Sequence, residues 1–160
     1  MKRQTIFVGI TVAVGLLLSE TLFAQAQESL YGTWKVNIAK SKFSPGPAPK
    51  SSVAKWEPSG GGVKLTVDTV PATGEPQHWE CSGKFDGKDN PVVGNNPDGD
   101  AAAFSKIDDH TYRIVQKKGG KPTVDARVVV AKDGKTRVTT QTGTNGKGET
   151  IAVTQFYEKQ

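Results

Sequence analysis

The chain has 160 residues, one cysteine, two histidines and a formal charge of +5 from 21 Lys+Arg against 16 Asp+Glu. One cysteine closes no internal disulfide, and so few soft ligands exclude a disulfide scaffold, a zinc finger and an iron–sulfur protein. With 35% hydrophobic residues and 18 glycines besides, the composition is that of one folded domain, not of a disordered chain.

Residues 1–26 have the layout of a secretory signal peptide. Lys2 and Arg3 make a positive start, residues 6–18 carry no charge, and Ala24-Gln25-Ala26 supplies the small-x-small pattern of a cleavage site. The apolar stretch would make about 20 Å of helix, short of the roughly 30 Å hydrocarbon core. Cys81, far from the cleavage site, cannot carry a lipid anchor there. The expectation is a periplasmic or secreted domain over residues 27–160, with no membrane anchor after processing. Loss of Lys2, Arg3 and Glu20 lowers the formal charge from +5 to +4.

Beyond the leader the pattern is that of strands. Gly32-Thr33-Trp34 opens the first. Residues 39–50, AKSKFSPGPAPK, place Pro45, Pro47 and Pro49 two apart. Proline cannot donate to a ladder, so this segment is expected to be a connection, either a lid or a wrap-around loop. Val63, Leu65 and Val67 then alternate with Lys64, Thr66 and Asp68, Tyr112, Ile114 and Gln116 with Thr111, Arg113 and Val115, and Val124, Ala126, Val128 and Val130 with Asp125, Arg127 and Val129. Thr136, Val138, Thr140 and Thr142 form a further alternating set, and Ile151, Val153, Gln155 and Tyr157 the last. A period of two gives each strand one inward face. Gly60-Gly61-Gly62, Asp86-Gly87-Lys88, Gly119-Gly120, Asp133-Gly134-Lys135 and Asn145-Gly146-Lys147 mark tight turns, where glycine takes a positive φ without penalty. Residues 90–100, NPVVGNNPDGD, read as a polar loop. Connections this short join antiparallel strands. The expected fold is all-β, a single antiparallel up-and-down barrel of about eight to ten strands.

The Gly32-x-Trp34 opening resembles the first strand of the calycins, the lipocalins and fatty-acid-binding proteins, and Gln155-Phe156-Tyr157-Glu158-Lys159 resembles the last strand of the latter. The stretch GTWKVNIAKSKFSPGPAPKS is also similar to exported bacterial proteins. The calycin resemblance implies a lipocalin-like barrel with Trp34 across its closed end and a small apolar ligand inside. In fatty-acid-binding barrels an arginine two positions before the final tyrosine helps hold the ligand carboxylate. Here that position is Gln155, an amide without charge assistance. The candidate ligand-binding residues are Tyr157, Gln155, Trp34, Tyr112 and Thr140. Arg113, Arg127 and Arg137 lie opposite the apolar sets of their strands and are expected to face solvent.

Nothing in the sequence forms a nucleophile–base pair, so the expected protein is not an enzyme and no cofactor or metal is implied. His78, beside Trp79, is expected to be packed or hydrogen-bonded, and His110 to lie in the Asp108-Asp109-His110 turn. Cys81 reads as a buried small hydrophobe. The lysines are spread singly over turns (Lys84, Lys88, Lys121, Lys135, Lys147), which keeps a surface soluble and does not make a nucleic-acid stripe. Binding of a small apolar ligand by a monomeric barrel is the leading expectation. The alternative is a packed barrel acting as a cell-envelope interaction module, inhibitor-like, through residues 39–50.

Overall fold

Alternation of apolar and polar side chains produces ten strands in the computed structural model, which describes residues 28–160; the leader-like residues 1–26 lie outside it. They are β1 (Gly32–Lys42), β2 (Ser51–Ser59), β3 (Gly62–Val70), β4 (Gln77–Gly83), β5 (Asp86–Gly94), β6 (Ala101–Lys106), β7 (Thr111–Lys118), β8 (Lys121–Val130), β9 (Thr136–Thr144) and β10 (Thr150–Lys159). Each pairs antiparallel with the next, and β10 returns to β1, with Val36 opposite Tyr157. The fold is a single closed up-and-down barrel. Closure leaves no strand edge unpaired.

The up-and-down path sends alternate connections to opposite ends. One end is filled. Residues Glu28 to Tyr31 cross it, with Leu30 fully buried and its carbonyl accepting the Trp34 indole N–H at 2.8 Å. Tyr112 donates its hydroxyl to Glu28 at 2.8 Å, and Ser29 donates to the Asp109 carbonyl at 2.7 Å, pinning this segment to the β6–β7 loop. Trp56 meets Phe104 edge-on at 5.8 Å, and Phe85 lies 5.4 Å from Tyr112. Aromatic packing of this kind adds about 0.5–1.5 kcal/mol per pair beyond area burial. The outer surface is polar, with ion pairs such as Lys64–Glu80 on β3 and β4 and Arg113–Asp125 on β7 and β8.

Three expectations about the connections need correction. Residues 39–42 belong to β1, and the proline-rich connection is confined to residues 43–50. The register between β1 and β10 shifts between Asn37 and Lys42. There the Ser41 hydroxyl donates to the Asn37 carbonyl and accepts the Phe156 N–H at 2.9 Å, doing the work of a ladder bond across the bulge. Asp86-Gly87-Lys88 is not a turn but the bulged start of β5, with the chain reversing one step earlier at Lys84-Phe85. Residues 90–94 continue β5, so the loop is only residues 95–100.

Gly143 shows how tightly the barrel is built. It lies within β9 at φ 131, and a methyl there would enter the van der Waals envelope of the Thr123 carbonyl oxygen on β8. The left-handed backbone alone costs a non-glycine residue about 1–3 kcal/mol. Gly143→Ala is expected to lower the urea-unfolding free energy by at least that much. A loss under about 0.5 kcal/mol would show that β9 relaxes freely.

Candidate functional site

The second end of the barrel is hollow. A cavity of about 190 Å³ opens there. Trp56, Leu65, Val67, Trp79, Ile114 and Val124 make an apolar sector on β2–β4, β7 and β8. Ser52, Arg137, Thr139, Gln141, Gln155 and Tyr157 make a polar one, centred on β9 and β10.

Arg137 dominates the polar sector and reverses the expectation that it faces solvent. It is 4% exposed. Its strand offers little to set the facing, because threonines stand on both sides of β9 and its one large apolar residue, Val138, points outward. The neighbour decides: Tyr157 on β10 faces in, and Arg137 is its direct partner. Directly opposed residues share a face, and a slip of one residue turns every side chain over. Thr140 is corrected by the same register. It pairs with Thr154 and is exposed on the outside, and Thr139 takes the inward place.

The guanidinium is held but not neutralised. Its carbon lies 3.9 Å from the Tyr157 ring centroid and 5.4 Å from that of Trp34. Nη1 donates to Thr139 Oγ1 at 2.9 Å, and Nε, buried, has no partner. Among the described residues no carboxylate pairs with it. Burial pushes its pKa down to about 10, so it remains a cation at neutral pH. Burial raises that of the Tyr157 phenol, which therefore stays neutral beside it. Cation–π contact of this kind is worth about 2 kcal/mol when desolvated, against several kcal/mol for burying the ion. The aromatic contacts thus offset only part of the cost of burying the charge.

Of the other expected site residues, Gln155 and Tyr157 line the cavity, and Trp34 and Tyr112 do not. Both belong to the filled end, where Trp34 closes the floor beneath Arg137 as the Gly-x-Trp resemblance implied. Gln155 Oε1 accepts from Tyr157 at 3.2 Å and from Gln141 at 3.1 Å. That leaves the Gln155 NH₂ as a donor without a partner among the described residues. Arg113 and Arg127 face outward, Arg113 held bidentate by Asp125 at 2.9 and 2.6 Å.

The cover of the cavity comes from residues 95–100, which the sequence marks only as a polar loop. Asn96, Pro97 and Asp98 line the mouth. The loop is tied down by Thr123 donating to the Asp98 carbonyl at 2.6 Å, and by the Gly146 N–H donating to Asp98 Oδ1 at 2.9 Å. The proline-rich connection shares this end, yet none of its residues lines the cavity. It is fastened outside through Ala152 N–H to the Ser44 carbonyl and Lys50 N–H to the Val70 carbonyl, both 2.8 Å. It is a wrap-around loop.

The remaining chemistry-bearing residues lie elsewhere. His78 faces out and pairs with Asp68 at 2.7 Å, and His110 lies in the β6–β7 loop at the filled end. Cys81 is in the core, and burial pushes its thiol up to about 11, far from a reactive thiolate.

Fold and site together define a small closed ten-stranded barrel with a basic-floored interior cavity, an architecture compatible with a calycin-like barrel. No protein-family model and no curated protein matches the chain.

Proposed function

We propose that the barrel is a non-catalytic binding protein for small organic acids, which enter at the mouth beneath residues 95–100 and place their carboxylate on Arg137. The observation that carries this reading is a buried, unpaired guanidinium in the wall of a cavity. Arg137 Nε and Gln155 Nε2 supply the donors, and Trp56, Val67 and Trp79 cover the ligand body. The size is restrictive. A dry cavity of about 150 Å³ holds benzene, so about 190 Å³ suits one ring with one or two small substituents. A long-chain fatty acid does not fit. The leader-like residues 1–26 support a place of action outside the cytoplasm.

Calorimetric titration of the protein with benzoate tests this. A ligand of about ten heavy atoms in such a site is expected to bind at about 1–100 μM. Benzamide, of the same shape but uncharged, should bind at least tenfold more weakly. Acid binding should persist through neutral pH and fade above about pH 10, where Arg137 loses its proton. No heat from benzoate or short alkanoates at millimolar concentration would sink the proposal.

A further inference from the structure

The cavity holds a second hydrogen-bonding station, at the end away from Arg137. Gln116 on β7 is 9% exposed and lines the cavity. Its orientation is set by a relay from the covering loop. The Asp98 N–H donates to Asn96 Oδ1 at 3.0 Å, which turns Asn96 Nδ2 toward Gln116 Oε1, 2.9 Å away. The Gln116 oxygen is thereby engaged, and among the described residues no acceptor takes its Nε2. Register places this station high in the barrel. Gln116 pairs with Val124, and Val124 with Gly143, six residues along β9 from Arg137. That is roughly 20 Å along the strand before the inward reach of the two side chains is taken off, and the same cavity of about 190 Å³ touches both residues. Between the two stations lie the indoles of Trp56 and Trp79 and the side chain of Val67.

A purely apolar acid would fill the middle and leave the Gln116 donor facing hydrocarbon. An unsatisfied buried donor costs about 1–3 kcal/mol. From this arrangement we infer that the ligand is a compact acid with a hydrogen-bond acceptor, such as a hydroxyl or ether oxygen, at the end opposite its carboxylate, and that Gln116 is the residue that reads it. The inference rests on the acid-binding reading above and adds a specificity to it. A site built to bond an oxygen rejects the analogue lacking one far more strongly than an apolar pocket rejects a changed methyl.

The test compares 4-hydroxybenzoate with 4-methylbenzoate, close to it in shape, by calorimetry on the full protein, with benzoate as reference. The hydroxyl compound is expected to bind at least tenfold tighter than the methyl compound. Gln116→Leu should reduce that ratio to about one or below, the methyl compound gaining affinity as the unsatisfied donor is removed. Benzoate binding with equal affinity for the two substituted acids would overturn the inference and leave the acid site standing. So would a preference that survives Gln116→Leu. Failure of all three acids to bind would overturn both. If the leucine variant folds poorly, the ratio in the unmodified protein decides alone.

Discussion

Ligand-free Arg137→Met is expected to be more stable than the unmodified protein and to have lost acid binding altogether. Most single substitutions in a core destabilise, so the sign is the informative part. Arg137 is a cation with an unpartnered Nε, one hydrogen bond to Thr139 and two aromatic neighbours. Methionine keeps much of the stem's contact with Tyr157 and Trp34 and removes the desolvated charge. Replacing buried ionic groups by apolar ones of similar volume is often neutral or stabilising by 1–4 kcal/mol, and for a domain of this size that is a melting shift of about 3–15 °C. The charge makes a pH signature as well. Burial lowers the folded-state pKa of Arg137 to about 10, below its unfolded value. The cost of burying it is present in full below that pH and fades as the pH rises from there toward the unfolded value. The advantage of Arg137→Met should therefore shrink above pH 10. Differential scanning calorimetry at pH 7 and pH 10.5, with benzoate titrations at pH 7, measures all of this. A variant destabilised by more than about 2 kcal/mol would instead make Arg137 a structural cation held for its aromatic contacts, and the proposed site would fall with it.

Trp34→Ala should have the opposite effect. Trp34 is fully buried at the filled end. Its indole bonds the Leu30 carbonyl at 2.8 Å, and its face lies under both Arg137 and the Lys159 ammonium, the latter 5.1 Å from the ring centroid. Truncating a buried tryptophan costs about 3–5 kcal/mol through lost burial and the space left behind, and orphaning the Leu30 carbonyl adds to it. Against a total stability of about 5–15 kcal/mol, that is a third or more. Urea unfolding should show the midpoint falling with the slope unchanged. Trp34 does not line the cavity, so benzoate affinity in the folded variant is expected to drop by less than about tenfold. A loss of stability below about 1 kcal/mol would mean that residues 28–31 are not anchored through Trp34.

The two residues also mark where reasoning from sequence succeeds and where it stops. Val63 and Leu65 on β3, Tyr112 and Ile114 on β7, Val124, Val128 and Val130 on β8 and Ile151 and Tyr157 on β10 recur at every second position, and those faces do point inward, with Val115, Val129 and Phe156 left on the outer faces. Alternation is a local property, and a strand with a single apolar face has one way to be buried. The all-β barrel and its antiparallel connections follow from such patterns, whereas the place of Trp34 at the closed end was implied only by the Gly-x-Trp resemblance. β9 carries no comparable signal. With threonine on both faces and Val138 outside, either register satisfies the strand alone, and only its pairing with β10 turns Arg137 in and Thr140 out. The same holds for the covering loop: Asn96 and Asp98 are ordinary polar residues until the barrel brings Gln116 and Gly146 to them. The strands and their hairpin pairings were thus legible in the sequence, because each rests on contacts between near neighbours in the chain; closure pairs β1 with β10 from opposite ends of the domain and was legible only through the need to cover two strand edges. The cavity, its buried cation and its two hydrogen-bonding ends were decided by the tertiary structure alone. They depend on which faces distant strands present to a shared interior and on the volume their side chains leave unfilled.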